Sequence, residues 1–182
     1  HYRVVVPSAR MGLPEVNLGL LPGAGGTQRL PRVTGVEKAL EMMTSGRHAS
    51  AKEAHESGLA DAIVEEGKLL EGAIAFAQKI VADNAPLTKI RERDDKVAGA
   101  RGKPEIFEAF RKSIARKSRG FLAPEYNIQC IEAAVNLPFD EGMKVEAKLF
   151  RELVTGEQSA AQRHVFFAER QVAKIPDVPK DT

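Results

Sequence analysis

The sequence predicts an α/β protein, mostly helical, whose first part is mixed and whose second part is all-helical. Three observations carry this. Short β-branched or apolar runs bounded by turn residues lie at 3–6 and 59–64. Helical apolar periods dominate from residue 36. Beyond residue 104 only helical periods remain. The two regimes meet near residue 97, in a charged, glycine-bearing stretch at 91–103 that reads as a linker.

The elements follow in order. Arg3 to Val6 is valine-rich and closed by Pro7, which predicts a strand. Residues 11–16 read as a second short extended piece. From Leu18 to Arg32 the chain is crowded with Gly and Pro, which predicts a tightly turned backbone rather than regular structure. Thr27 is placed to cap a short helical turn that Pro31 limits. Val36, Leu40 and Met43 recur at helical spacing ahead of Gly46, which predicts a helix over 36–45. Ser50-Ala51-Lys52-Glu53 resembles a capping box, and Gly58 would end its helix. Residues 59–64 read as a strand. Residues 69–83 form an amphipathic helix with Leu70, Ile74, Ala77 and Val81 on one stripe.

Four helices are predicted in the second part. Ile106, Phe110 and Ile114 share a face in the first. Pro124 suits the first turn of the next, which carries Ile128, Ile131 and Val135 and stops before Pro138. Val145, Leu149 and Leu153 mark the third, and residues 159–172 the fourth, where His164 is expected to pack.

Composition narrows the function classes. Apolar residues make up 43% and charged residues 29% of 182, which fits a globular chain and not a disordered one. A net charge of +2 gives no reason to expect a nucleic-acid partner. No apolar run approaches the roughly 18 residues of a membrane span. The lone Cys130 cannot form an internal disulfide and sits among apolar residues, as a core thiol would. His48 and His55 are seven apart and read as surface residues, since a metal site needs further ligands. Arg111, Lys112, Arg116, Lys117 and Arg119 read either as a solvated face or as an attraction for phosphates.

The chemistry concentrates in Gly12-Leu13-Pro14-Glu15-Val16-Asn17-Leu18-Gly19-Leu20-Leu21-Pro22-Gly23-Ala24-Gly25-Gly26-Thr27-Gln28-Arg29-Leu30. A carboxylate set among apolar residues holds its proton more tightly, which suits proton transfer. The glycines let backbone N–H groups approach a ligand closely. On the residues alone Glu15 is either such a group or a solvated glutamate beside a structural turn. Two phosphate-loop readings fail. The turn lacks the third glycine of a dinucleotide fingerprint, and no Gly-Lys-Ser/Thr closes it.

The same stretch strongly resembles the signature of the crotonase (enoyl-CoA hydratase/isomerase) superfamily. Pro-Glu, an apolar-Gly step, Pro-Gly-x-Gly-Gly and Thr-Gln-Arg-Leu occur in its order and spacing. The resemblance continues through Thr44-Ser45-Gly46-Arg47, Ala51-Lys52-Glu53-Ala54 and Gly58-Leu59-Ala60-Asp61. Gly120-Phe121-Leu122-Ala123-Pro124-Glu125, Ala133-Ala134-Val135, Phe150-Arg151-Glu152-Leu153 and 164–170 look like the linker of peroxisomal-type bifunctional enzymes.

The resemblance implies an incomplete crotonase-like spiral core, holding two or three strands, followed by an all-α linker. Residues 1–97 would be the C-terminal half of a hydratase/isomerase domain and 98–175 the helical linker. Residues 176–182 would be a tail leading to an absent NAD-dependent 3-hydroxyacyl-CoA dehydrogenase. The substrate would be an acyl-CoA thioester, with no cofactor held by this chain. The setting would be cytoplasmic in a bacterium and peroxisomal in a eukaryote.

Glu15 matches the glutamate assigned to the C2 proton, and Gly23, after Pro22, matches the glycine whose N–H helps hold water. A helix after Gly25-Gly26 would add a favourable dipole toward anions. The second glutamate and both oxyanion donors of the family precede the segment that starts here at His1, and residues 1–14 contain no Asp or Glu. The chain opens without Met, directly in an apolar run, and both ends are expected to be cuts in a longer protein. The chain as given is therefore expected to be inactive in hydration and very weak in isomerisation. An exposed sheet edge or apolar face, and self-association through it, are expected too. Two alternatives remain: a monofunctional hydratase or isomerase with an unusual helical tail, or a non-catalytic scaffold or oligomerisation module.

Overall fold

The computed structural model describes residues 1–172 and 174, so the proposed tail at 176–182 lies outside the described residues. Strands are short. β1 (Val4–Val5) pairs in parallel with β4 (Ala62–Ile63), and β2 (Arg10–Met11) pairs antiparallel with β3 (Ala49–Ser50). The expected two or three strands are thus four two-residue pieces in two separate sheets. Arg3 tightens the first pair. Its backbone N–H donates to the Asp61 carboxylate at 2.6 Å, and its guanidinium reaches the Leu59 and Gly58 carbonyls.

Helices carry the rest. They are α1 (Gly26–Thr34), α2 (Val36–Ser45), α3 (Ala51–Ser57), α4 (Leu69–Ala82) and the single turn α5 (Asp95–Ala98). Then come α6 (Pro104–Ile114), α7 (Ala123–Asn136), α8 (Phe139–Val154) and α9 (Glu157–Val172). Where sequence rules are local they hold. Gly46 ends α2 at φ 69°, and the Ser50 hydroxyl accepts the Glu53 N–H at the start of α3. Only half of the expected capping box forms there, because the Glu53 carboxylate turns instead to Arg47 and Lys38.

Two expectations are corrected. Residues 11–16 are not one extended piece: the strand ends at Met11, and Glu15–Leu18 form a 3-10 turn ended by Gly19 at φ 66°. Pro31 does not limit the helix after the glycine turn. It lies inside α1, where a proline removes one backbone hydrogen bond and crowds the preceding turn. Burial of Leu30 and Val33 and an external cap, described below, offset that loss. The amphipathic helix expected over 69–83 forms as α4, and its apolar stripe faces out: Leu70, Ile74 and Val81 are 74%, 51% and 75% exposed.

The main core gathers Val5, Leu40, Met42, Met43 and Ala54 with Phe107, Ile128, Ile131 and Val135. Residues on both sides of position 97 share it. Val97, in the stretch read as linker, is fully buried there. A second cluster joins Leu20, Leu21, Ala123, Cys130, Leu149 and Leu153. That cluster lies directly under the glycine-rich turn, so α7 and α8 form its floor.

Candidate functional site

Glu15 opens the 3-10 turn and is half-buried. Its carbonyl accepts the Leu20 N–H at 3.1 Å, which folds the turn back on itself. Its carboxylate Oε2 is buried and has no hydrogen-bond partner among the described residues. Buried acceptors are nearly always paired, so an orphan is a mark of strain or of a site awaiting a ligand.

Helix α9 holds this turn from behind. The Ser159 hydroxyl donates to the Leu18 carbonyl at 2.8 Å. A β-carbon on Gly19 would lie 3.0 Å from Ser159 Cα. Gly19 therefore serves twice, by its positive φ and by letting α9 approach.

The next turn runs from Pro22, buried, to Gly25. Ala24 at φ 52° and Gly25 at φ 82° are consecutive left-handed residues. Left-handed backbone is costly for alanine and gathers at functional sites. The Ala24 carbonyl is met by the Arg29 guanidinium at 2.5 Å. Gly23 is half-buried, and its N–H donates to no group among the described residues. A groove of about 470 Å³ lies beside Gly23 and Ala24, walled by Met143, Ala147, Phe150 and Val154 of α8. A smaller apolar cavity of about 260 Å³ lies on the other side of α1, between Met11, Leu13, Gly26, Leu30 and Val33. Glu15 lines neither. A larger hollow of about 550 Å³ beside Lys38, Glu41, Asp95 and Lys96 contains none of the candidate residues.

The strongest feature is a buried carboxylate outside the glycine-rich stretch. Glu146, on α8 and 2% exposed, reaches across to the start of α1. Its carboxylate accepts the Gly25 N–H at 2.6 Å, the Thr27 N–H at 3.1 Å and the Thr27 hydroxyl at 2.5 Å. Thr27 is thus not the cap; it is capped. The anion that the helix dipole was expected to attract is this internal carboxylate. The same occupancy leaves the first turn of α1 without free donors for a dinucleotide phosphate.

Gln28, fully buried, extends the network, donating to Thr27 Oγ1 at 3.0 Å and to the Cys130 carbonyl at 2.9 Å. Burial pushes the Cys130 thiol up to about 12, with the nearby Glu146 charge adding to the rise.

The remaining candidates separate from this region. His48 and His55 are exposed; His48 lies in the loop before β3, and His55 on α3 meets the Ala60 carbonyl at 3.2 Å. His164 is exposed on α9 rather than packed, a correction to its expected role. Arg111 leaves the basic run to pair with Glu125 and Glu132 at 2.9 and 2.8 Å, which joins α6 to α7.

Comparison with known proteins follows the same outline. A family model described as enoyl-CoA hydratase/isomerase matches residues 1–109. A peroxisomal bifunctional enzyme of Danio rerio is 43% identical over 174 residues, 96% of this chain and 24% of that protein. The human protein of the same name is 41% identical over the same shares. The chain thus spans about a quarter of the length of these relatives. Among solved structures, a carnitinyl-CoA dehydratase from Mycobacterium avium superposes with a TM-score of 0.59 at 24% identity, over 92% of this chain and 53% of that one. Another carnitinyl-CoA dehydratase, from Mycobacterium thermoresistibile, gives 0.59 at 19% identity, over 100% and 59%. These structures share the fold.

Proposed function

Since the chain belongs to the enoyl-CoA hydratase/isomerase family, we propose that it carries the proton-handling part of a hydratase/isomerase site, with Glu15 acting at C2 of an acyl-CoA thioester. The observation that carries this reading is the buried, unpartnered Glu15 Oε2. A carboxylate oxygen with no internal donor is free to face a substrate C–H.

In hydration, water adds through its oxygen to C3 and a second carboxylate takes the proton it loses. The electron pair of the double bond moves toward the thioester oxygen and then returns to C2, which collects a proton from Glu15. In isomerisation, Glu15 removes a proton from C2 of a 3-enoyl thioester and returns it at C4, so one carboxylate suffices. Gly23, with its N–H uncommitted, is the donor that holds the water. The second carboxylate and the donors for the thioester oxygen come from outside residues 1–182. Preorganised donors of that kind supply much of the rate in such chemistry.

The wider assignment follows the relatives named peroxisomal bifunctional enzyme. Residues 1–97 are the later half of a hydratase/isomerase domain, and 98–175 are the linker region that leads on to an NAD-dependent 3-hydroxyacyl-CoA dehydrogenase. NAD is assigned to that dehydrogenase and to no residue of this chain. The setting is peroxisomal in a eukaryote and cytoplasmic in a bacterium.

The test is turnover of crotonyl-CoA and of a 3-enoyl-CoA by the full-length protein and its Glu15→Gln variant. Both reactions should fall by about 100-fold or more, the usual worth of a positioned proton-transfer group. Unchanged turnover in the variant would overturn the assignment. Residues 1–182 alone should bind an acyl-CoA near Glu15 but hydrate crotonyl-CoA negligibly; near-normal hydration by that piece would refute the divided site.

A further inference from the structure

Helix α8 meets the glycine turn along one row. Gly142, Glu146 and Phe150 are spaced by four, so they lie on a single ridge of the helix. Each makes a different contact. Gly142 admits Gln28, since a β-carbon there would lie 2.0 Å from Gln28 Oε1. Glu146 holds Gly25 N–H, Thr27 N–H and the Thr27 hydroxyl. The Phe150 ring lies 3.5 Å from where a β-carbon on Gly23 would be.

The turn is strained at Ala24, a non-glycine residue at φ 52°, and it has few internal ties. Its internal ties are the Gly26 N–H to Gly23 carbonyl bond at 3.0 Å and the Arg29 contact on Ala24. A buried carboxylate that accepts three hydrogen bonds at the end of this turn therefore sets the direction in which Gly23 presents its N–H. Charge-assisted bonds of this type are about twice as strong as neutral ones.

We propose that Glu146 is a positioning residue, supported by Phe150, which fixes the Gly23 N–H for the water of the hydration step. This rests on the assignment of Gly23 as the water-holding donor. Isomerisation at Glu15 needs no such water, so the two reactions respond differently. A loss of fold would lower both alike and leave their ratio unchanged.

The test measures that ratio in the full-length protein. Glu146→Gln keeps the size and one acceptor but loses the charge. It should lower crotonyl-CoA hydration relative to 3-enoyl-CoA isomerisation on the order of tenfold, because displacements near 1 Å can cost up to about 100-fold. Phe150→Leu should shift the ratio the same way by a smaller factor, and it decides the matter if Glu146→Gln does not fold. Glu15→Gln is the control that lowers both reactions. In residues 1–182, the Gly23 and Gly25 amide resonances should move in Glu146→Gln while those of α2 stay in place. An unchanged ratio in the folded variants overturns the proposal even where Glu15→Gln abolishes both activities. No effect of Glu15→Gln overturns the site assignment instead.

Discussion

Gly142 and Gln28 interlock: no side chain can be placed on the first without meeting the amide of the second, 2.0 Å away. Gln28 cannot step aside cheaply, since its Nε2 is tied to Thr27 Oγ1 and the Cys130 carbonyl. Gly142→Ala is therefore expected to destabilise by about 1–3 kcal/mol, the usual cost of overpacking, despite the better helix propensity of alanine. Thermal unfolding should report a midpoint lower by roughly 2–4 °C for each kcal/mol. The double variant with Gln28→Ala removes the clash and should show coupling in a double-mutant cycle; additive losses would disprove the interlock.

Ser159→Ala removes the hydroxyl that meets the Leu18 carbonyl. The expected cost is about 1 kcal/mol, as for a typical hydrogen bond. The more telling readout is local. Amide exchange at Gly19 and Leu20 should quicken while exchange within α2 does not. Uniform quickening would mean that α9 does not specifically secure the Glu15 turn.

Glu53 gives a pH signature. Hydrogen bonds from Arg47 and then Lys38 hold its carboxyl at about 2, against an ordinary 4.5. The folded value is the depressed one, so the stabilisation is complete above about 4.5 and is lost as pH falls toward 2. The group is partly exposed, so the effect is small, on the order of 1 kcal/mol or less. Urea midpoints taken between pH 5 and pH 2 should fall more gently in Glu53→Gln than in the parent. Identical slopes would show that the Lys38–Glu53–Arg47 cluster does not contribute.

Cys130 offers a probe of unfolding. Its thiol is fully buried and its pKa is raised to about 12 by that burial. Thiolate is the reactive form, so alkylation at pH 8 should be negligible in the folded chain and complete in denaturant. Rapid labelling under native conditions would contradict the packing of α7 against α1 and α8.

How much of this was readable beforehand depends on distance along the chain. The ends of α2 and α3 were legible because their signals are local: Gly46 and Gly58 in left-handed backbone, Ser50 capping Glu53. The crowding of Gly and Pro marked the turn that carries Pro22 and Gly23. The helix after it is not legible locally, because Pro31 argues against α1 while its cap comes from Glu146, 119 residues from Thr27. A signal for Glu146 did exist. Phe139, Gly142, Glu146, Leu149 and Leu153 step by three and four along the buried face of α8, with one carboxylate in the middle. A charge on a buried stripe calls for partners, but spacing does not say where they are. The stripe of α4 shows a different limit. Its period identifies a helix and two unlike faces, yet nothing local says that the apolar one is left largely exposed. Val97 shows the same limit, since a lone valine among charges reads as linker while its neighbours in space are Phe107 and Val135.

The Glu146 contacts also have a bearing on how the protein is made. During synthesis the glycine turn emerges before its partners, since its acceptor lies 121 residues beyond Gly25 and the anchor for Leu18 lies 141 residues beyond. Until α8 and α9 have left the ribosome, the segment from Glu15 to Thr27 lacks the groups that hold its shape. Such distant closures are entropically opposed until many contacts form together. The turn that bears Glu15 and Gly23 is thus finished only once α8 and α9 are available, and a nascent chain halted before α8 would display it as an unset, protease-sensitive loop.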